Sequence, residues 1–424
     1  MNKSWLSLGE CMNKIIKNIV SLFLLKGVDY VYPLVLIPLL IKTLGIDNYG
    51  EIVFSVSIIS FFVIVVNYGF DYSVTKKIAE LKSENNKTTS NLAIRKIVTT
   101  TYYAKGLLTL FSILVILIIW LLFLNSKVHF NILVISLITL ISNILNPVWF
   151  FQGIQKMGYI TIISFGSKLA TIVLAIKIIN SPNDLIFGAF AYVLPNLISG
   201  LLGFLVLLKI QGLSVKFNFV DVKQTLKEGW SVFLSIISSS SLTVFIPIFL
   251  GIFYNNAIVG AYVSIEKIAR AFLGCFQPIT QAVYPYISSI KRNSGKRAIK
   301  LIKILGVLLF CAAIILSLFI VVYGKDIIGI LYGSEMENYY FILYYFALLI
   351  PFSVLNNVIG IQYMVNFGLE KQYSRAFIFT SLSAVVLYYI GNAFWELKGV
   401  LLTLVFSEVL LTLTMILFIF KNRS

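Results

Sequence analysis

Seven ionisable residues stand inside otherwise apolar stretches of the chain: Lys26, Asp29, Lys168, Glu266, Lys267, Arg270 and Glu408. On insertion scales an Arg, Lys or Asp at the centre of a membrane helix costs about 2.5–3.5 kcal/mol, so residues of this kind must face protein or water rather than lipid. Their spacing says where they face. In EKIARAFLGCFQPITQAVYP (266–285), Glu266, Arg270, Gly274, Gln277 and Gln281 recur every three or four positions and share one helical face. Lys26, Asp29, Pro33 and Ile37 do the same in the first apolar run. A polar stripe of this length predicts the lining of a wet cavity, and bases outnumber acids in the interior set, so the expected ligand is an anion. The blander reading is structural ion pairing, Glu266 with Arg270 and Lys26 with Asp29; it leaves Lys168 and Lys267 without a partner in their own helices. Pro33, Pro38, Pro247 and Pro278, with Pro285, fall in the same few helices and are candidate hinges.

The elements that must hold these residues are membrane helices. Of 424 residues, 59% are hydrophobic and only 12% charged, about half the charged share of a soluble chain. Apolar runs of about twenty residues recur throughout. Twelve spans are expected, near 18–42, 49–70, 97–124, 131–151, 159–179, 185–208, 229–252, 258–286, 300–323, 339–366, 376–391 and 398–420. The eleventh is short for a bilayer unless flanking residues complete it. Lys and Arg crowd the N-terminal tail and the even-numbered loops. The odd-numbered loops hold only Lys42, Lys127, Lys177, Lys325 and Lys398, which places both termini in the cytoplasm of a multi-pass protein. The net charge of +17 thus reflects topology and excludes a nucleic-acid-binding face. The first run is too long for a cleaved signal peptide and reads as an uncleaved span.

PLLIKTLGIDNYG (38–50) and PIFLGIFYNNAIVG (247–260) echo one another about half a chain apart. The echo predicts an all-α membrane fold of two pseudo-symmetric six-helix bundles around a central cavity: 1–208, a cytoplasmic linker 209–228, and 229–424. Cys11, Cys275 and Cys311 make no disulfide framework, no metal-ligand cluster is present, and no cofactor is implied. His129 reads as a lone surface histidine. The outer loops are too short for a catalytic domain, so no catalytic residues are assigned.

Four stretches, PLVLIPLLIKTLGIDNYG (33–50), VNYGFDYSVTKKIAE (66–80), NPVWFFQGIQKMGYIT (146–161) and EKIARAFLGCFQPITQAVYPYIS (266–288), resemble the polysaccharide transporter family. Within it they look most like the Wzx-type flippases of O-antigen and other repeat units, part of the multidrug/oligosaccharidyl-lipid/polysaccharide exporter superfamily. The resemblance implies movement of a polyprenyl-diphosphate-linked oligosaccharide, undecaprenyl in the usual case, from the cytoplasmic to the outer leaflet of a bacterial inner membrane. It implies alternating access coupled to an ion gradient, and a polysaccharide polymerase and chain-length regulator as partners in O-antigen or capsule assembly. The family's basic cavity would be lined here by helices carrying Lys26, Asp29, Glu266 and Arg270. Asp71-Tyr72 departs from the Asn-containing form expected of that loop.

On this reading Arg270 meets the diphosphate bidentately, while Lys26, Lys168 and Lys267 add charge. Gln277 and Gln281 meet sugar hydroxyls, the prenyl tail stays in lipid, and Asp29 or Glu266 carries a coupling proton. The alternatives are a multidrug exporter, a peptidoglycan-precursor exporter, and a membrane-embedded polymerase. The first would want an acidic cavity; the last would want a large outer loop or paired carboxylates.

Overall fold

The computed structural model describes residues 27–82, 87–213 and 218–422, and these are helical almost throughout, with no strand among them. The helices are α1 (Gly27–Leu44), α2 (Ile46–Asn67), α3 (Phe70–Lys82), α4 (Lys87–Ile119), α5 (Phe130–Leu145), α6 (Val148–Gly153), α7 (Gly158–Ile178), α8 (Leu185–Ile210), α9 (Phe219–Phe253), α10 (Asn256–Gly274), α11 (Gln277–Asn293), α12 (Gly295–Tyr332), α13 (Tyr340–Asn357) and α14 (Glu370–Lys421). Two π-helical turns interrupt the pattern, Trp120–Leu124 after α4 and Val358–Val365 after α13.

Among the described residues, nine helical segments are long and apolar enough to cross a membrane. One of them, α14, is two crossings: Trp395 (φ −134°) and Glu396 (φ 49°) break it in the middle. Its first limb runs from Glu370 to the break, about 37 Å at 1.5 Å per residue, so the eleventh span expected at 376–391 is completed from both flanks. Where the seventh span was expected, α9 is apolar over the shorter stretch Val244–Phe253. Where the eighth was expected, α10 carries Glu266, Lys267 and Arg270 and is followed by a break. The expected continuous eighth span is corrected here: α10 ends at Gly274 and α11 starts at Gln277.

Contacts group the chain into two compact units, Leu39–Ala261 and Tyr262–Ser424 joined by the first helix up to Pro38. In the Leu39–Ala261 unit, α8 packs on α5 and α7 while α2 packs on α5 and α9. Its aromatic core joins Phe70, Val74 and Ile78 of α3 to Trp149, Phe150 and Phe151 of α6, burying the quoted NPVWFFQG segment. In the other unit, α12, α13 and α14 pack in sequence, and a fully buried Tyr332 donates its hydroxyl proton to the Ser264 carbonyl at 2.9 Å.

The echoed motifs meet directly within the Leu39–Ala261 unit. A Cβ on Gly50 would sit 1.9 Å from the Asn256 carbonyl oxygen, and one on Gly260 would sit 2.9 Å from the Ile46 carbonyl oxygen. Ile46 and Gly50 precede Asn256 and Gly260 by 210 residues, so each contact maps onto the other. Such reciprocity is what a two-fold relation between segments produces. Close backbone approach of this kind is the use of small residues between membrane helices.

Candidate functional site

A polar cavity of about 230 Å³ lies in the unit formed by Tyr262–Ser424 and the first helix, lined by Tyr30, Arg270, Leu273, Phe276, Gln277, Thr280, Ser353, Val354 and Asn357. The break between α10 and α11 shapes it. Pro278 has no N–H to offer the Gly274 carbonyl, and glycine itself holds a helix weakly, so α10 stops there. The chain turns tightly instead: the Cys275 N–H donates to the Phe272 carbonyl at 3.2 Å and the Phe276 N–H to that of Leu273 at 3.1 Å. The Tyr30 ring fills the place a side chain at 274 would take, since a Cβ there would lie 2.5 Å from it. Its hydroxyl donates to Gln277 Oε1 at 3.1 Å, tying α1 to the far side of the break.

Arg270 is the cavity's cation. Its Nε and Nη2 both donate to Glu266 Oε1, at 2.9 and 2.6 Å. Glu266 is buried, whereas the Arg270 side chain is 45% exposed. Only the side edge of the guanidinium is engaged, and the outer Nη1–Nη2 edge, the one that forks onto two oxygens, has no hydrogen-bond partner among the described residues. Glu266 therefore aims Arg270 without consuming it. A second carboxylate, Glu408 of α14, is held from α13 by Asn356 Nδ2 at 2.6 Å. Thr412 Oγ1 donates in turn to Asn356 Oδ1 at 2.6 Å. The next residue, Asn357, lines the cavity, while its side-chain oxygen is shut off from solvent and has no hydrogen-bond donor.

The structure brings together Arg270, Glu266 and Gln277 of the predicted stripe, with Gly274 between them. Gln281, one turn further along α11, is exposed and outside the cavity lining. Lys267 is half-buried and points about 100° away from Arg270 around α10. Asp29 is exposed. Lys26 lies outside the described residues, and Lys168 is half-buried on α7 in the other unit. Within its own unit Arg270 is paired with Glu266. Helices run unbroken through Pro33, Pro38 and Pro247, and only Pro278 stands at a break. Sequence reasoning missed Tyr30, Thr280, Ser353 and Asn357; the pair Asn356-Asn357 in the apolar run PFSVLNNVIG was the available signal.

In the Leu39–Ala261 unit the surprise is Lys105, which is only 1% exposed. Its Nζ donates to Asn67 Oδ1 at 3.0 Å, at the end of α2 where Tyr68 (φ 46°) and Gly69 (φ 78°) turn the chain into α3. Lys105 falls inside the third expected span, 97–124, and its side chain is held within the protein. Asn67→Ala is expected to destabilise the protein by about 1.5–3 kcal/mol, because it leaves a buried ammonium without its acceptor. Lys105→Met, which removes the charge as well, is expected to cost less. Thermal unfolding of both variants in detergent compares them.

His129 is likewise more than a lone surface residue. Its imidazole is 79% exposed, yet its backbone N–H and Nδ1 reach the buried Glu51 carboxylate, each at 2.8 Å from Oε1. In the same loop, Lys127 Nζ donates to the carbonyls of Gly251 and Ile252, at 2.8 and 2.5 Å, capping the C-terminal end of α9. Burial pushes the Lys127 ammonium below the usual lysine range. At the opposite end of α9, Lys96 pairs with Asp221 at 2.8 Å and Lys77 with Glu228. The Lys77 ammonium holds the Glu228 carboxyl below its ordinary range, so this pair's contribution is present above the usual glutamate pKa and fades as pH falls through the lowered value.

Membrane-crossing helices around a polar cavity whose cation is positioned but not covered define a multi-pass membrane transporter. Solved structures agree on the fold. The chain aligns with "Lipid II flippase MurJ, inward closed conformation" at a TM-score of 0.75 and 16% identity, covering 96% of this chain and 88% of that one. It aligns with the MATE multidrug transporter DinF-BH at 0.55 and 14% identity, covering 97% and 96%. Residues 15–291 match the profile of the family described as "Polysaccharide biosynthesis protein", and the chain belongs to that family. Two relatives, both named "Putative O-antigen transporter", are from Escherichia coli (strain K12), 29% identical over 96% of this chain and 97% of the relative, and from Shigella dysenteriae, 27% identical over 94% and 98%. The relatives are named as transporters, not enzymes.

Proposed function

We propose that the protein is a flippase for polyprenyl-diphosphate-linked oligosaccharide repeat units, moving them from the cytoplasmic to the outer leaflet of a bacterial inner membrane for O-antigen or capsular polysaccharide assembly. The observation that carries the reading is the outer edge of Arg270, held open to a polar cavity by Glu266. A diphosphate diester presents two anionic oxygens to such a fork. The cavity, at about 230 Å³, is below the 300–1,000 Å³ of drug-sized sites, which suits the phosphate end of the lipid rather than a whole repeat unit. Gln277 and Asn357 line the same cavity and would meet hydroxyls of the first sugar. A cationic drug would want a free acid, but Glu266 is taken by Arg270 and Glu408 by Asn356.

The cycle is alternating access of the halves 1–208 and 229–424, with both termini cytoplasmic. On this topology the Gly50–Gly260 contact and the 125–129 loop close the outer side. Proton uptake by Glu266 would release its hold on Arg270 and couple the site to an ion gradient, with Asp29 as the other candidate carrier. Lys26, Lys168 and Lys267 supply charge along the route, Gln281 meets sugars further along α11, and Pro33, Pro38, Pro247 and Pro278 flex. A polymerase and a chain-length regulator would take the product onward. The test is a leaflet-resolved assay in proteoliposomes with a defined lipid-linked oligosaccharide. Protein-dependent exposure of the glycan to an outside probe is expected; none, with the protein correctly inserted, overturns the reading.

A further inference from the structure

We infer that this chain carries a second lipid site, a groove that holds the isoprenoid tail of a polyprenyl diphosphate with its head at Lys303. The inference rests on the flippase reading and adds to it a place for the tail, which otherwise would simply stay in the bilayer. The groove, of about 430 Å³, lies between α12, the π-helical turn 358–365 and the end of α14. From α12 come Ile302, Lys303, Gly306 and Val307, at the three- and four-residue spacing of one helix face, and from the π-helix come Val358 and Tyr363. Every lining residue but Lys303 is apolar or aromatic, or glycine, so the occupant is a hydrocarbon chain.

Lys303 decides which hydrocarbon. It is exposed, and it stands toward the start of α12, where Lys296, Arg297 and Lys300 are also exposed. The groove is thus greasy along its length and cationic at its water end, complementary to a lipid with a strongly anionic head. A diphosphate carries more negative charge than a single phosphodiester, so the basic end favours it over bulk phospholipid. Two details of the backbone make the space. At Gly306 a Cβ would lie 3.2 Å from Val358 Cγ1, so a larger side chain there fills the groove. The π-helical turn is a local widening often found at functional positions. The same turn sends Gln362 to the Thr280 carbonyl at 3.0 Å, and Thr280 lines the Arg270 cavity. One short segment is therefore the common wall of the tail groove and the Arg270 cavity.

The test places a photo-crosslinking amino acid at Phe310 of the full-length protein in nanodiscs and supplies polyprenyl diphosphate or phosphatidylglycerol as probe. Expected are labelling by polyprenyl diphosphate at least tenfold above that by equimolar phosphatidylglycerol, and a loss of at least fivefold in Lys303→Ala and in Gly306→Leu. Lys303→Ala alters only an exposed side chain, so it reports even if Gly306→Leu fails to fold. Equal labelling by the two lipids, or labelling unchanged in Lys303→Ala, overturns the proposal. Failure here is distinct from failure of the flippase reading: wild-type protein that exposes glycan in the leaflet assay while showing no preference at Phe310 sinks the groove alone.

Discussion

Arg270→Ala is expected to lower transport of lipid-linked glycan by at least about a hundredfold while the protein still reaches the membrane. The magnitude follows from two charge-assisted hydrogen bonds to the diphosphate at about 1.5–3 kcal/mol each, against 1.4 kcal/mol for each tenfold. The variant also strands the buried Glu266 carboxylate, whose Oε1 accepts from Arg270 Nε and Nη2 at 2.9 and 2.6 Å, and breaking a buried pair costs about 3–5 kcal/mol of stability. Pairing Arg270→Ala with Glu266→Gln separates the two effects: the double variant recovers protein level and stays inactive. Arg270→Lys keeps the charge but loses the fork, so intermediate activity is expected. The measurement is glycan exposure per inserted protein. Wild-type activity in Arg270→Ala would remove the residue from the site.

Gly50→Ala carries a large structural penalty, about 3 kcal/mol or more. The new Cβ would lie 1.9 Å from the Asn256 carbonyl oxygen, and backbone on both sides leaves nothing flexible to move. Relief by shifting α10 is blocked because Gly260 is pressed on Ile46 and Gly50 in the same way. Gly106→Ala is the control: no atom lies within 4 Å of its Cβ position, so a helical alanine there is expected to be neutral or to stabilise by about 0.4–1 kcal/mol. Unfolding temperatures of the two variants in detergent should move in opposite directions or differ by many degrees.

The fold was readable because membrane helices announce themselves by hydropathy and charge bias, and because the PLLIKTLGIDNYG and PIFLGIFYNNAIVG motifs repeat. The site was readable in part. Helical spacing joined Glu266, Arg270 and Gln277 within one stretch of sequence. The same spacing carried the stripe to Gln281, but the helix breaks between Gly274 and Gln277, and on α11 the cavity is lined by Gln277 and Thr280 instead. Tyr30, Ser353 and Asn357 come from other helices, and no periodicity within one segment reveals which helix will face another. Lys105 shows the converse limit. Its sequence position marks it as a loop-flanking base, and only packing reveals that Asn67 holds it inside.

The two ends of α9 are fastened by different physics, and this gives the rod a direction. Its start is held by Lys77 on the exposed Glu228 and by the exposed Lys96 on the half-buried Asp221, attractions that dissolved ions weaken over a Debye length of about 8–10 Å. Its finish is held by Lys127 hydrogen-bonded straight to main-chain oxygens, which added salt barely touches. Raising ionic strength therefore loosens the ion pairs at the first end and spares the hydrogen bonds at the second, so the two ends of this 35-residue helix answer unequally to a change in the cell's electrolyte.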